Sequence, residues 1–333
     1  MDPPSPVHLP IRVDADGDRA RLDQEAMEIA RRVRPAWRDS RLRVRHFTDG
    51  ITNRLVGVSR ADGEDGEEDM LLVRVYGAGS HLFIDRRSEK HTMLRLSARR
   101  LAPPLFASFE NGLCYAFAPG SPLDVESVRE PRVARLVARH LARVHLALTP
   151  DAESGCWLLP ALTRLVDALP GEGEGEEAPL RREVAFLARV LPPLGSAVRF
   201  CHNDLLLANI VVREESVTFI DYEYAGFNWR AFDIANHWCE WAGVEGYDDA
   251  RFPSRETQRA WLRDYLAASE EEAGDAAVES LLRQVDAFVP AAHLLWSLWA
   301  RVQALHSRLS FDFARYARLR MTQYARTKAA HFH

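Results

Sequence analysis

The stretch FCHNDLLLANIVVREESVTFIDYEYAG, residues 200–226, decides how this sequence is interpreted. Two apolar runs rich in β-branched residues, NIVV at 209–212 and VTFI at 217–220, flank the polar segment REES. Such runs on either side of a short polar turn predict a two-stranded hairpin. Helical patterns precede and follow the stretch, so we expect a short hairpin inserted among helices.

Polar side chains stand at fixed intervals along this hairpin. His202, Asp204 and Asn209 give the order H-x-D-x-x-x-x-N. Asp221 follows the second apolar run, so we expect the hairpin to bring Asn209 and Asp221 to adjacent strand ends. Protein kinases use the same order, in which one Asp lies on a catalytic loop while an Asn and a second Asp bind magnesium. Because phosphoryl transfer needs such carboxylate and amide oxygens, the spacing predicts a phosphotransferase.

Each of these residues has a simpler explanation when it is taken alone. An isolated H-x-D is frequent by chance, and we expect His202 to brace the loop by hydrogen bonds rather than bind a ligand. A lone Asp after a strand, such as Asp221, is usually a cap or turn residue. A hydrolytic metal centre of His202, Asp204 and Asp221 is the alternative. It is the weaker one, because no further His stands at ligand spacing and Asn209 would have no task.

The residues before this stretch predict a small β-rich unit. Residues 1–14 are Pro-rich and aperiodic, and we expect them to be disordered. A helix rich in charged residues is predicted from Arg21 to Arg34. Asn111-Gly112 between two apolar runs is a strong hairpin signal. Further strands are predicted within 41–60 and 70–77, and a helix from about Glu89 to Arg99.

From Pro131 onward the pattern changes to that of helices. The segment PRVARLVARHLARVHLAL places apolar residues three and four apart on one helical face. More helices are predicted towards the C-terminus, while GEGEGEEAP is expected to form a flexible surface loop. We therefore predict an α+β protein with a β-rich N-terminal lobe, residues 1–119, and a larger, mainly helical lobe, residues 120–333.

The composition argues against several classes of protein. The chain has 333 residues, 47% of them hydrophobic, and a formal net charge of −5. It can bury a sizeable core and has no overall attraction for nucleic acid. Its four cysteines are scattered with no C-x-x-C spacing, which favours reduced thiols over disulfides or structural zinc. No window is apolar enough to span a membrane, so we expect a cytoplasmic protein without stable membrane insertion. Its oligomeric state is not predicted.

Three longer segments carry a resemblance to a known family. FCHNDLLLANIV, FIDYEYAGFNWRAFDIANHWCEW and FTDGITNRLVG closely resemble the signature segments of ethanolamine and choline kinases, and the similarity extends from about Arg43 to Thr327. That family has the protein-kinase-like two-lobed fold and transfers the γ-phosphate of ATP to the hydroxyl of ethanolamine or choline. The resemblance implies that Asp204 is the catalytic base and that Asn209 and Asp221 bind Mg²⁺. It also implies that the N-terminal lobe binds the nucleotide.

The resemblance places further residues around ATP. Gly50, Thr52 and Asn53 stand where the family has its phosphate-covering loop, although the bare string DGITN would be an ordinary hairpin turn. Arg74 replaces the lysine expected from protein kinases, and Arg suits bidentate contact with phosphate. Glu89 is the expected ion-pair partner of Arg74, while a solvated helix charge explains it equally well without the family.

A buried carboxylate is expected behind the catalytic loop. Asp233, in AFDIANH, stands at a helix start among apolar neighbours and therefore needs backbone donors. It resembles the Asp that braces this loop in the family. We expect a structural rather than a catalytic role.

A cationic amino alcohol requires aromatic faces or carboxylates around its nitrogen. Trp296 and Trp299 lie on one helical face, where core packing is ordinarily the better explanation. The family places matching aromatics beside the substrate ammonium, together with Tyr224 and Glu240, which implies a ligand role for all four. DLLLAN and IDYEYAG resemble ethanolamine kinases, whereas HWCEW is closer to choline kinases. We predict ethanolamine as the substrate, for phosphatidylethanolamine synthesis.

Other functions stay open at this point. The acceptor could be choline, another small alcohol or an aminoglycoside, because the same catalytic parts serve on a similar fold. A non-catalytic nucleotide-binding scaffold is the alternative from a different class. The retention of Asp204, Asn209 and Asp221 together speaks against that scaffold.

Overall fold

The computed structural model describes residues 6–14, 17–47, 53–62, 68–77, 86–150, 154–170, 177–244, 246–307 and 310–332. The chain divides into two compact units. The first comprises Met1–Ser121 with Thr218–Glu223, and the second comprises Pro122–Val217 with Tyr224–His333. Thr218–Glu223 thus groups with the N-terminal unit although it lies beyond the boundary predicted at residue 120.

The first unit is built on a six-stranded sheet. Its elements follow in the chain as β1 (Val7–Leu9), α1 (Arg19–Val33), β2 (Leu42–Phe47), β3 (Asn53–Arg60), β4 (Leu71–Tyr76), α2 (Arg86–Ser97), β5 (Leu105–Phe109) and β6 (Gly112–Ala116). The strand order is β1-β5-β6-β4-β3-β2, antiparallel except for the parallel pair β1 and β5. The apolar face of α1 packs against the core of this sheet through Leu22, Ala26 and Ile29.

The turn between β5 and β6 fixes the backbone near Arg74. Asn111-Gly112 forms the predicted hairpin, and Gly112 pairs with Val75 of β4. A Cβ built on Gly112 would lie 2.2 Å from the carbonyl oxygen of Arg74. Because only glycine avoids that clash, Gly112 allows β6 to approach β4 at the residue that carries the buried arginine.

The prediction of a disordered arm is wrong for residues 6–14. Val7–Leu9 pairs in parallel with Ala107–Phe109, and both Leu9 and Val13 are buried. The side-chain amide of Asn111 also bonds both backbone groups of Val13, at 2.9 and 2.8 Å. The missed signal is the alternation of apolar residues in VHLPIRV, a strand period that the prolines obscured. Residues 1–5 lie outside the described part of the chain.

Helices dominate the rest of the chain. The elements follow as β7 (Ser121–Pro122), α3 (Pro131–His145), α4 (Leu158–Asp167), α5 (Glu177–Val190), β8 (Val198–Cys201), β9 (Ile210–Arg213), β10 (Ser216–Phe219), β11 (Gly226–Trp229), α6 (Arg230–Glu240), α7 (Arg255–Ala268), α8 (Asp275–His306) and α9 (Phe313–His331). One sheet has the order β10-β9-β7, and β8 pairs with β11 in a second. The hairpin predicted within 200–226 is therefore confirmed as β9 and β10.

One helix of the second unit is buried along almost its whole length. Every residue of α6 from Ala231 to Glu240 is shielded from solvent. Buried polar groups need partners inside the protein, so the polar side chains of α6 must hold other segments in place. Those side chains are Asp233, Asn236, His237 and Glu240.

The longest helix, α8, runs beside α6 and α9. It is buried over most of its C-terminal half, which carries Trp296. Among the described residues, no helix combines the length and apolar character needed to cross a membrane.

Candidate active site

Asp233 of α6 holds the loop that follows β8 by hydrogen bonds. The carboxylate of Asp233 accepts the backbone N–H of His202 at 2.8 Å and that of Asn203 at 2.7 Å. It also bonds Nε2 of His145 at 2.9 Å. Burial alone would raise the pKa of Asp233, but these hydrogen bonds and His145 hold it below its ordinary value. The structure thus shows the brace that the sequence predicted for Asp233.

Asn203 gives this loop its sharp turn. Its φ of 66° is in the left-handed region, which Asn adopts more readily than most residues. Its side-chain amide donates to the carbonyl of Tyr224 at 2.9 Å and accepts from Asn228 at 2.8 Å. Sequence reasoning treated Asn203 as a variable position between His202 and Asp204. An Asn in a tight loop was the available signal.

The half-buried Asp204 sits at the end of this turn. Its backbone N–H donates to Nδ1 of the fully buried His202 at 3.3 Å, which is the bracing contact expected of that histidine. Its carbonyl accepts the amide of Asn209 at 2.9 Å. Because Asn209 uses its nitrogen here, its carbonyl oxygen is oriented away from this bond and suits a hard cation such as magnesium.

A buried histidine that the sequence did not suggest fixes the next residue of the loop. Nδ1 of His237 lies 3.1 Å from the carbonyl of Leu205, and Nε2 accepts the indole N–H of Trp241 at 3.1 Å. Burial lowers the pKa of His237 to about 4. The ring is therefore neutral at physiological pH, with its proton on Nδ1.

In the first unit, Arg74 is the centre of a group of buried charges. Its guanidinium lies 3.1 Å from Glu89, 3.0 Å from Asp221 and 2.5 Å from Glu223, and its side chain is only 6% exposed. Burial alone would lower the pKa of Arg74, but the three carboxylates hold it well above its ordinary value. The predicted ion pair between Arg74 and Glu89 is confirmed.

Arg86 is a second arginine in this group, and sequence reasoning missed it. Its guanidinium lies 2.9 Å from Glu89 and 3.1 Å from Glu223, donates to Asn53 at 3.2 Å and covers the ring of Tyr76 at 4.1 Å. Asn53 is thereby placed at the start of β3 within reach of the charged group. Gly50 and Thr52, the other residues expected in the phosphate-covering loop, lie outside the described residues.

The carboxylates of this group fit a divalent cation by their chemistry. Oxygens of Glu89, Asp221 and Glu223 lie within 4.8 Å of one another. The side chain of Asp221 is 34% exposed, and its Oδ1 lies close to Arg74 without a hydrogen bond in good geometry. Burial and the nearby Asp221 raise the pKa of Glu223 to about 7. Oxygen ligands of this kind are those that magnesium prefers.

Aromatic rings cluster in the second unit, and three of them are those that the resemblance implies for binding the substrate nitrogen. The ring of Trp296 lies 5.9 Å from that of Tyr224 and 5.6 Å from that of Trp299, in edge-to-face contact. The indole N–H of Trp299 donates to the hydroxyl of Tyr224 at 3.0 Å. Trp157, which sequence reasoning missed, lies 6.3 Å from Tyr224. We call Trp157, Tyr224, Trp296 and Trp299 the aromatic cluster.

Glu240 is committed to an internal ion pair. Its carboxylate accepts from Arg320 of α9 at 2.9 Å, and both side chains are almost fully buried. Arg320 also donates to the hydroxyl of Tyr316 at 3.2 Å. No local pattern marks Arg320 as a partner, since it lies eighty positions away from Glu240. The charge of Glu240 is thus balanced within the protein, and its contact with substrate stays a prediction.

Comparisons with known proteins agree on one group of enzymes. Residues 44–325 match the sequence profile of the choline/ethanolamine kinase family. Ethanolamine kinase 2 of Mus musculus is 41% identical over 313 residues, which cover 91% of this chain and 80% of that protein. Ethanolamine kinase 1 of Mus musculus is 38% identical over 336 residues, covering 94% and 91%.

Solved structures place the fold in the same group. A Plasmodium vivax ethanolamine kinase superposes with a TM-score of 0.81 at 23% identity and covers 94% of this chain and 90% of its own. At that identity the likeness concerns the fold. It confirms the predicted protein-kinase-like fold, with a β-rich first unit and a mainly helical second unit.

Proposed function

This chain belongs to the choline/ethanolamine kinase family, and we infer that it is an ATP-dependent ethanolamine kinase. It transfers the γ-phosphate of ATP to the hydroxyl of ethanolamine, and its product serves phosphatidylethanolamine synthesis. One observation carries the proposal: the second unit holds a rigidly braced Asp204 together with the aromatic cluster. A carboxylate to accept a hydroxyl proton and π faces to bind an ammonium are what this reaction requires.

Asp204 acts on the acceptor. Its carboxylate accepts the proton of the ethanolamine hydroxyl and orients the oxygen for attack on the γ-phosphorus. The bonds from His202 and Asn203 to Asp233 keep the loop in one conformation, so little reorganisation precedes the reaction. The bond between His237 and Leu205 adds a further constraint next to Asp204.

Asn209 and Asp221 are the proposed magnesium ligands of this kinase reaction. Asn209 offers its amide oxygen in the second unit, and Asp221 offers a carboxylate in the first. Each residue is proposed as a magnesium ligand on the chemistry of its own donor atom, and magnesium would neutralise charge on the phosphates of ATP. The chemistry of these donor atoms supports the assignment.

Arg74 and Glu89 are the proposed nucleotide-binding pair of the first unit. An arginine with carboxylates on several sides has its charge preserved and its guanidinium oriented, which suits bidentate contact with a phosphate. Gly50, Thr52 and Asn53 remain the proposed phosphate-covering turn. Asn53 contributes a side chain already held by Arg86.

Tyr224, Trp296 and Trp299 are the proposed ligands of the ammonium group, with Glu240 beside them. Aromatic faces alone would serve choline equally well. A primary ammonium also needs hydrogen-bond acceptors, and the hydroxyl of Tyr224 can accept as well as donate. Together with the identity to ethanolamine kinases, this favours ethanolamine.

A substrate comparison tests the proposal. ATP consumption by the purified protein is measured with ethanolamine, its mono- and dimethylated forms, and choline, each over a range of concentrations with magnesium present. We expect the highest kcat/KM for ethanolamine and a fall with each added methyl group. A higher value for choline would reassign the substrate within the family. Turnover with none of these alcohols would overturn the proposed function.

A further inference from the structure

Asn236 connects the catalytic loop with the aromatic cluster. It lies on α6 and is fully buried. Its Nδ2 donates to the carbonyl of Asn203 at 3.3 Å, and its Oδ1 accepts the indole N–H of Trp296 at 2.7 Å. One short side chain therefore bonds the residue before Asp204 and a ring of the proposed ammonium site.

The orientation of this amide follows from its partners. An indole N–H can only donate, and a backbone carbonyl can only accept. A flipped amide would place two donors together at Trp296 and two acceptors together at Asn203. The connection thus has a single arrangement, and both of its hydrogen bonds are shielded from water, where they are stronger than exposed ones.

A second connection runs from the same residue of the loop. The side chain of Asn203 donates to the backbone carbonyl of Tyr224 at 2.9 Å. Two rings of the aromatic cluster are therefore tied to Asn203, Tyr224 directly and Trp296 through Asn236. Because Asn203 adjoins Asp204, these bonds fix how far the cluster lies from the catalytic carboxylate.

We propose that Asn236 is a positioning residue that selects the length of the amino alcohol by fixing Trp296 relative to Asp204. The inference rests on the proposed function, because it takes Asp204 to engage the hydroxyl and the aromatic cluster to hold the ammonium. In ethanolamine two carbons separate those groups. An extended three-carbon homologue is longer and must bend to place both ends unless the distance between base and rings changes, so a rigid connection disfavours it.

Steady-state kinetics with ethanolamine and 3-amino-1-propanol test this. We expect Asn236→Ala to lower the ratio of kcat/KM for ethanolamine to that for 3-amino-1-propanol about tenfold, since small misplacements of bound groups have large effects on rate. The KM for ATP should stay within about twofold, because Asn236 bonds neither the nucleotide-binding residues nor Asn209. A changed ratio with an unchanged KM for ATP would show that Asn236 positions the acceptor, whereas a general loss of structure would change both.

A second variant changes the other end of the connection. Trp296→Phe keeps an aromatic ring on α8 and deletes the indole N–H, so the bond to Asn236 is lost. We expect it to lower the same ratio. If Asn236 acts through Trp296, the double variant should lower the ratio by less than the product of the two single effects, which is the signature of coupled residues. Asn236→Ser, whose single short hydroxyl cannot bond both Asn203 and Trp296, carries the test if Asn236→Ala does not fold.

Ser297→Ala is the matched control. Ser297 is fully buried next to Trp296 and donates one hydrogen bond to the carbonyl of Ala317, away from the catalytic loop. It should lower thermal stability and leave the ratio unchanged. Equal losses of activity on both alcohols in Asn236→Ala, or the same change of ratio in Ser297→Ala, would overturn the inference while the proposed function stands. Turnover of neither alcohol by the parent enzyme would overturn both.

Discussion

The first unit surrounds Arg74 with charges, whereas the second unit surrounds Asp204 with neutral hydrogen bonds. Around Arg74 lie Glu89, Asp221, Glu223 and the second cation, Arg86. Along the loop that carries Asp204, the described hydrogen bonds come from amides and imidazoles, an indole is reached through Asn236, and Asp233 is a buried charge that braces the loop. Both arrangements are buried, yet they suit different tasks.

Charged groups suit an exchange of partners, because a phosphate can take the place of a carboxylate on a guanidinium and carboxylates can bind a magnesium ion. Neutral hydrogen bonds are directional and fix a position rather than a charge. We therefore expect substitutions in the first unit to change mainly the affinity for the nucleotide. Substitutions in the second unit should change mainly the turnover number and the stability.

The largest effect is expected at Asp204, the residue that the neutral hydrogen bonds of the second unit position. Asp204→Ala should lower kcat by about 10³-fold or more, because the acceptor hydroxyl loses its base. Its melting temperature should stay near that of the parent, since Asp204 is half-buried. Initial rates and a thermal melt measure both. Asp264→Ala, which removes a carboxylate paired with Arg139 on the surface, is the control. Full activity in Asp204→Ala would contradict the catalytic task that the comparison gives to the second unit.

The next largest effect is expected when the carboxylate that braces the loop is removed. Asp233→Ala leaves two buried backbone N–H groups and His145 without their acceptor. We expect the free energy of unfolding to fall by about 3 kcal/mol. Urea denaturation measures the fall. Asp275→Ala, which removes the exposed partner of Arg263, should leave the denaturation midpoint in place. If the two variants matched, the loop would not depend on Asp233.

The pH dependence of the free energy of unfolding tests whether the hydrogen bonds of the second unit involve a neutral His237. His237 in the folded protein titrates at about pH 4, whereas in the unfolded chain it takes up its proton near 6.5. Its contribution to stability is complete above about pH 6.5 and is lost as the pH falls towards 4. From pH 7 to pH 5 this group should lower the free energy of unfolding by about 2 kcal/mol.

Urea denaturation at both pH values measures this loss. His237→Asn cannot titrate, so the difference in stability between parent and variant should shrink by that amount as the pH falls. Asp233 and His202 are the titratable groups that face His237, and both remain in the variant. A difference that is the same at both pH values would show that His237 takes up its proton at the same pH in the folded and the unfolded protein, so that burial does not lower its pKa.

The smallest effect concerns the charged group of the first unit. Arg74→Lys keeps the cation but loses the planar fork, so we expect the KM for ATP to rise about tenfold while the KM for ethanolamine changes little. Arg60→Lys, at the exposed end of β3 beside Asp69, is the control. A change confined to the KM for ethanolamine would reverse the roles that the comparison gives to the two units.

The sequence predicted the residues whose spacing is local. His202, Asp204 and Asn209 lie within eight positions, and the hairpin that follows them was found from its apolar runs. The ion pair of Arg74 with Glu89 was also predicted, although only through the family.

The sequence did not predict partners that only the fold brings together. Arg320 and Glu240 are eighty positions apart, and Asn236 and Trp296 are sixty apart. Nothing local marks such a pair, because each residue on its own fits a buried helix. The strand Val7–Leu9 was missed for a different reason, since its period of two lies in a Pro-rich segment and its partner lies about a hundred positions ahead.

The segment Thr218–Glu223 sets a limit on how this enzyme can be divided or recombined. It contributes Asp221 and Glu223 to a unit whose other residues end at Ser121. A fragment expressed from residues 1–121 would keep Arg74 and Arg86 but lack two of the carboxylates that neutralise them. Two buried guanidinium groups would then share Glu89, at a high desolvation cost. Chimeras that exchange the N-terminal region between relatives must therefore exchange this distant hexapeptide with it.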